Sequence, residues 1–483
     1  MSESTFSTRF GANDLTNPLV AAGYIILGSI LCWSRFAGLN HGYASDELMA
    51  VRNYVTAGPH EILVGHYVPN NHELFSLLGW ATTSIVGESA VALRLWSVVP
   101  FVLGVIIVTA WLHVRLGALS GLLFLFFATV SPLLLDITRQ ARGYGLAFLA
   151  MGVLVVAALE AARSPRAWTI VAFCSAGVVG TWTLPHFGIA FAATGLVLLT
   201  KRSLRRVTAV GLTMSFLAIV AWYFPHLDDL GASSRQDYGA GIGVEWIVTA
   251  PSDQILMPGL RWIDEVLVDP GLRSVAIAAA LGLLISSSPL LRSRNSAFIL
   301  GAGPVVTVVI LWLTRTNVAP RFFSFLLVPL LALLASGVAV ILSRSLTIRR
   351  AGVRTVIAVT TLGLVALIAA PYLADVPRLP RESIQDAAAT IGAVAPPSAP
   401  VFAYVPYPRD LEFYLGRPVE RLRTADQLRR VCESQREVVF VSQLWLLPDM
   451  TIRCTQRKGA RHLRFAQYAR GGEVNVWLIP PVQ

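Results

Sequence analysis

PLVAAGYIILGSILCWSRF (residues 18–36), GYASDELMAVRNYVTAG (42–58) and HYVPNNHELFSLLGW (66–80) follow closely on one another, and their reading decides what the rest of the chain must be. The first is an apolar run of the length a helix needs to cross a hydrocarbon core of about 30 Å. The other two form the most polar part of the first quarter. They carry the adjacent carboxylates Asp46 and Glu47, the histidines His60, His66 and His72, and the pair Asn70-Asn71. Ionisable groups set beside a membrane span imply chemistry or a ligand at the membrane surface. The remainder then reads as a scaffold that holds this segment in place.

Composition agrees. Of 483 residues 55% are apolar and only 14% charged, against about 25% charged in soluble proteins. Runs of span length recur, so the expected fold is a polytopic α-helical membrane protein; the alternation of a membrane β-barrel is absent. The net charge of +11 resides in short basic clusters between spans, which mark cytoplasmic loops rather than a nucleic-acid surface. No cleavage site follows the first span, so it is read as retained and not as a signal peptide. Cys32 and Cys174 fall inside spans as packing residues. Cys432 and Cys454 lie in the polar C-terminal segment, where a disulfide is open if that segment is extracytoplasmic. The Ala-, Arg- and Gly-rich usage suggests a GC-rich bacterial origin.

Taken in order, residues 1–17 form a short cytoplasmic tail and residues 18–373 a transmembrane region. Its spans are expected near 18–36, 95–113, 119–135, 144–162, 168–184, 186–199, 207–224, 275–290, 296–313, 322–342 and 356–373, about eleven in all. Within the first loop, 45–58 reads as one short amphipathic helix capped by Ser45 and ended by Gly58-Pro59, and 71–87 as an interfacial one. Arg115, Arg163, Arg166, the cluster at 201–206, Arg292, Arg294 and the cluster at 344–354 fall on one side, which puts the N-terminus in the cytoplasm. The loops at 39–94, 136–143, 225–273 and 314–321 then share the outer face, together with residues 374–483. That last segment has the composition of a small soluble α/β domain: helices in IQDAAATIGAV and DLEFYLG, strands in APVFAYV, REVVFVSQ and EVNVWLIP.

The candidate chemistry lies on that outer face. Asp46 and Glu47 point about 100° apart on a helix, so one suits a general base while the other orients or caps; the same pair also suits an ordinary helix N-terminus. Arg139 and Arg142, three residues apart beside Asp136, Gln140 and Tyr144, suit a phosphate, as does Arg321 in TRTNVAPRF. Anchoring to lipid headgroups is the competing reading for both clusters. His66, Asn71, His72 and Tyr144 are candidates for substrate contact. The six-residue spacing of the histidines is not that of a metal site, and no metal is expected. The motifs G-x-x-x-x-G-K-[ST], G-x-S-x-G and H-E-x-x-H are absent, which argues against ATP use, a serine hydrolase or a zincin.

The acidic pair after span 1, NNHELFSLL, GESAVALRL, QARGYGLAFL and APRFFSFLLVPLLALLASG together resemble GT-C-fold glycosyltransferases, in the branch of protein O-mannosyltransferases and lipid A aminoarabinose transferases. The resemblance implies transfer of a sugar from a polyprenyl-phosphate donor to a glycan, lipid or protein acceptor outside the plasma membrane, with inversion and without a cofactor. It implies Asp46 as catalytic base, Glu47 as its companion, Arg142 and Arg321 facing the donor phosphate, and His72 as the histidine of a His-Pro-Pro-like segment. Glu73 departs from that pattern, standing where proline is common. A lipid-linked-sugar transporter or flippase, which needs ionisable residues or broken helices at mid-span, and a non-catalytic scaffold for envelope assembly are the other readings of the same chain.

Overall fold

The computed structural model describes residues 18–68, 71–229, 282–314, 320–345, 384–404, 408–422, 425–433, 437–443, 460–465 and 474–479. The chain divides into two compact units, one of Met1–Leu39 with Ala50–Pro377 and one of Asn40–Met49 with Arg378–Gln483.

In the first unit, α1 (Pro18–Phe36) is followed by α2 (Ser45–Ala50, shared with the second unit), a π-turn (Val51–Val55), α3 (Pro59–Val64) and α4 (Glu73–Val86). The helical core continues with α5 (Ala90–Leu116), α6 (Ala118–Val130), α7 (Pro132–Thr138), α8 (Tyr144–Arg163), α9 (Ala167–Thr183), α10 (Phe187–Leu199) and α11 (Arg205–Tyr223). It closes with α12 (Arg294–Thr314), a 3₁₀ turn (Pro320–Leu326) and α13 (Leu327–Ser345).

Among the described residues five helical stretches are long and apolar enough to cross a membrane: Pro18–Phe36, Ala90–Leu116, Tyr144–Arg163, Arg205–Asp229 and Arg321–Ser343. The expected eleven is therefore not reached by length. α6, α9 and α10 are apolar but have 13, 17 and 13 residues. The expected span at 356–373 and most of that at 275–290 lie outside the described residues. Outward side chains stay apolar, with Ile106 52% and Phe216 65% exposed, which suits a lipid surround and not water. Cys32 is among the exposed residues, so it does not pack inside as expected, whereas Cys174 does.

Because lipid tails are as apolar as leucine, helices here associate by close approach at small residues. α5 and α8 show this. A Cβ on Gly104 would press on the Leu149 backbone, one on Gly152 on Val108, and one on Gly145 would run into the Ser97 carbonyl. Phe101, Val105, Val108, Phe148, Met151 and Leu154 fill the seam between them.

The expected single helix over 45–58 is broken. Thr56 donates its amide to the Val51 carbonyl (2.9 Å), a five-residue step that widens the helix into the π-turn, and Gly58, at φ 100°, ends it. Pro59 then opens α3, which the sequence reading did not anticipate.

In the second unit a mixed sheet runs in the order β2-β1-β3-β5-β4, with β1 Val401–Tyr404, β2 Val419–Arg421, β3 Val438–Gln443, β4 Arg461–Phe465 and β5 Val474–Ile479. β1 pairs in parallel with β2 and β3, and β5 antiparallel with β3 and β4. Alternation along each strand gives two apolar faces. Val401, Ala403, Val439, Val441, Val476 and Leu478 pack with Ile384, Ala387 and Ile391 of helix Ile384–Val394. Phe440 stacks on Trp477 at 5.3 Å on the other face, beside Val438 and Ile479. Asn40–Met49 joins this unit through Tyr43, whose amide donates to the Tyr414 hydroxyl (2.6 Å), which in turn donates to the Tyr43 carbonyl (3.3 Å).

Gly145→Val is expected to lower the thermal midpoint of the protein in detergent by the equivalent of about 1–3 kcal/mol of overpacking. Gly28→Ala, whose Cβ would meet nothing within 4 Å, should leave it unchanged. Thermal unfolding followed by size-exclusion chromatography compares the two.

Candidate functional site

The N-terminus of α8 is where sequence and packing converge. Gly143 precedes the helix and offers no side-chain cap. A neighbouring segment must therefore answer the orphan amides there. His72 Nδ1 accepts the Gly143 N–H (3.0 Å), and Ser97 Oγ of α5 accepts that of Gly145 (3.2 Å). Both contacts need glycine. A Cβ at Gly143 would press on His72 and Thr183, and one at Gly145 on Ser97.

Arg142 is fully buried, with Nη2 3.0 Å from His72 Nε2. A neutral imidazole accepts at one nitrogen only. The Gly143 amide is fixed by its helix and takes Nδ1, which assigns the ring proton to Nε2 on the network of contacts. That N–H faces a guanidinium, which can only donate. Burial, then the charges of Arg142 and Arg321 and the nearby His186, hold His72 well below the usual imidazole range. Burial alone pushes His186 down to about 4. Both rings are neutral at physiological pH, so the positive charge of the cluster belongs to the arginines.

Aromatic faces complete it. The His72 ring meets Tyr144 edge-on at 4.8 Å. The Arg142 guanidinium lies 5.0 Å from the Tyr144 ring and 5.7 Å from Phe322, and that of Arg321 lies 5.9 Å from Phe322. His72, Arg142, Tyr144 and Arg321, chosen from sequence, are thus brought together. Phe322, His186 and the two glycines were missed. The glycines could have been found: they flank Tyr144 at the start of an apolar run, where only close approach explains them.

Other candidates go elsewhere. Arg139 donates to the Ala37 carbonyl, past the end of α1. Asn71 is buried in the fold's own hydrogen bonds, accepting from Ser76 Oγ (2.8 Å) and donating to Ile62 O (3.4 Å). His66 is exposed and pairs with Asp229 at 2.9 Å. Asp46 and Glu47 belong to the second unit. Glu47 is buried, and its Oε2 accepts the Ala44 N–H (2.8 Å), the backward half of a capping box. α2 begins at Ser45, so the expected cap position falls on Ala44 instead. Asp46 is half-buried. Among the described residues no three His, Cys, Asp or Glu side chains gather closely enough to hold a metal.

No family model and no curated protein sequence matches the chain. Solved structures do. ArnT from Cupriavidus metallidurans in the apo state superposes with a TM-score of 0.56 at 13% identity, over 96% of this chain and all of that one. The same protein bound to undecaprenyl phosphate gives 0.53 at 14%, over 98% and 100%. The Archaeoglobus fulgidus oligosaccharyltransferase in complex with Zn and sulfate gives 0.52 at 12%, over 88% of this chain and 68% of that one. Likeness at such identities establishes the fold: this is the helical membrane architecture of the GT-C glycosyltransferases.

Arg142→Gln is expected to raise the ionisation midpoint of His72, since the guanidinium is the second cause of its depression, while burial keeps it below the free-imidazole value. Side-chain NMR of histidine-labelled protein over a pH series measures the shift.

Proposed function

We propose that the protein is a membrane glycosyltransferase that moves a sugar from a polyprenyl-phosphate donor to an acceptor hydroxyl on the extracytoplasmic face, with the N-terminus in the cytoplasm. The observation that carries this reading is the cationic cluster of His72, Arg142 and Arg321 set in a GT-C fold. His72 Nε2–H and the Arg142 guanidinium present donors to one point. An oxygen of a phosphate ester accepts from both and turns their opposition into attraction. Aromatic rings on Tyr144 and Phe322 keep water from screening that contact. As the glycosyl bond breaks, charge grows on the departing phosphate, and donors already in place stabilise it. A prenyl-phosphate sugar carries its own activation, so no nucleotide site is required.

The acidic pair supports a division of roles. Glu47 is committed to the Ala44 amide, which holds the first turn of α2. Asp46, half-buried in the same turn, is the general base that takes the acceptor proton while the hydroxyl oxygen attacks the anomeric carbon. One base without a covalent nucleophile gives inversion at that carbon.

The test is release of polyprenyl phosphate from a panel of polyprenyl-phosphate sugars with a candidate acceptor extract. Asp46→Asn is expected to reduce turnover about 10²–10⁴-fold, and Arg142→Gln about 10²–10³-fold, with both variants folded as wild type. Equal turnover in Asp46→Asn removes that residue as base. Saturable donor binding without turnover by any protein argues for transport.

A further inference from the structure

Glu73 takes no part in the chemistry above, yet its carboxyl is 1% exposed at the first position of α4. Trp222 Nε1 of α11 donates to its Oε2, and His226 Nε2, just past α11, lies 3.4 Å from its Oε1. The Trp222 indole is itself fixed by stacking on Trp182 of α9 at 4.2 Å with the planes 15° apart. The same end of α11 grips the segment before α4 a second time, because Asp229 accepts the Tyr67 amide (2.8 Å) and pairs with His66. The described residues 66–68 and 71–73, here called the strap, are thus held from the same end of α11, and His72 lies in the second part, its carbonyl accepting the Ser76 amide (2.9 Å) as α4 begins.

We propose that Glu73 is a positioning residue: by accepting from Trp222, with His226 packed beside it, it fixes the first turn of α4 and so sets the adjoining His72 ring between the Gly143 amide and Arg142. The consequence for donor binding rests on the phosphate reading of that cluster; the positioning itself does not. Among the described residues the titratable groups facing Glu73 are His226 and Tyr223 from the α11 end and Tyr54 from the π-turn. None of them is a fixed cation. Burial pushes the Glu73 carboxyl from 4.5 up to about 8, against the opposing hydrogen bond from Trp222. A carboxyl raised in this way stabilises the strap fully below pH 4.5, and that stabilisation is lost as pH rises to about 8.

Hydrogen exchange of the peptide covering 66–76, corrected for intrinsic rates, is measured from pH 6 to 9 in wild type, Glu73→Gln and Glu73→Ala. Undecaprenyl phosphate binding is measured on the same samples. Glu73→Gln keeps wild-type protection at pH 6 and loses the pH dependence. Glu73→Ala loses protection about tenfold and weakens undecaprenyl phosphate binding in parallel. Trp222→Phe, which keeps the carboxyl and removes its donor, moves protection the same way if Glu73→Ala does not fold. Identical pH profiles in wild type and Glu73→Gln, or unchanged protection in Glu73→Ala, overturn the assignment. The expected exchange pattern in a wild type that binds no undecaprenyl phosphate refutes the donor reading and leaves the positioning role standing.

Discussion

A helix that ends inside an apolar protein leaves amides or carbonyls that water cannot reach, and each must be met by a side chain. The first unit is organised by this requirement. Arg35, fully buried on α1, donates to the carbonyls of Ala128 (2.8 Å) and Thr129 (3.2 Å) at the end of α6 and lies over Phe101 at 5.0 Å. Arg94 donates to the Leu39 carbonyl (2.7 Å), and Arg139 to that of Ala37. Ser97 and His72 answer the amides that open α8. Charged residues that a hydropathy scan would treat as intrusions are the caps of the bundle.

Packing and charge then share residues. The imidazole that caps α8 also meets Arg142, so the helix end and the cationic cluster cannot move independently. The fully buried Arg142 and the half-buried Arg321 beside neutral histidines form a positive point in an apolar surround. The nearby carboxyl, Glu73, does not neutralise it. Burial raises the acid, and its partners lie on the α11 side.

Much of this was readable from the chain. Span-length apolar runs, the α4 helix and the strands at 401–404, 438–443 and 474–479 follow from periodicity and composition alone. Arg142 and Arg321 could be chosen because a guanidinium at the outer end of a span suits a phosphate. What could not be read was partnership across long separations. Arg139 and Arg142 look equivalent in sequence, yet one meets a backbone carbonyl and the other an imidazole. Glu73 read only as a departure from a pattern, since its partners stand 149 and 153 residues later. The π-turn escaped because one extra residue per turn leaves no trace in a hydrophobic pattern. β2 and β4, of 3 and 5 residues and rich in charge, carry too little alternation to stand out.

The hydrogen bonds between Tyr43 and Tyr414 span 371 residues. Synthesis proceeds from the N-terminus, so Asn40–Met49 emerges well before the rest of its unit, which begins at Arg378. The acidic pair therefore waits through most of translation and membrane insertion before its surroundings exist. A chain halted before Arg378 has its long apolar helices and still lacks the rest of the unit to which Asp46 belongs. Assembly order therefore matters to this turn: the unit around Asp46 closes only after Arg378 and the strands that follow it have been made.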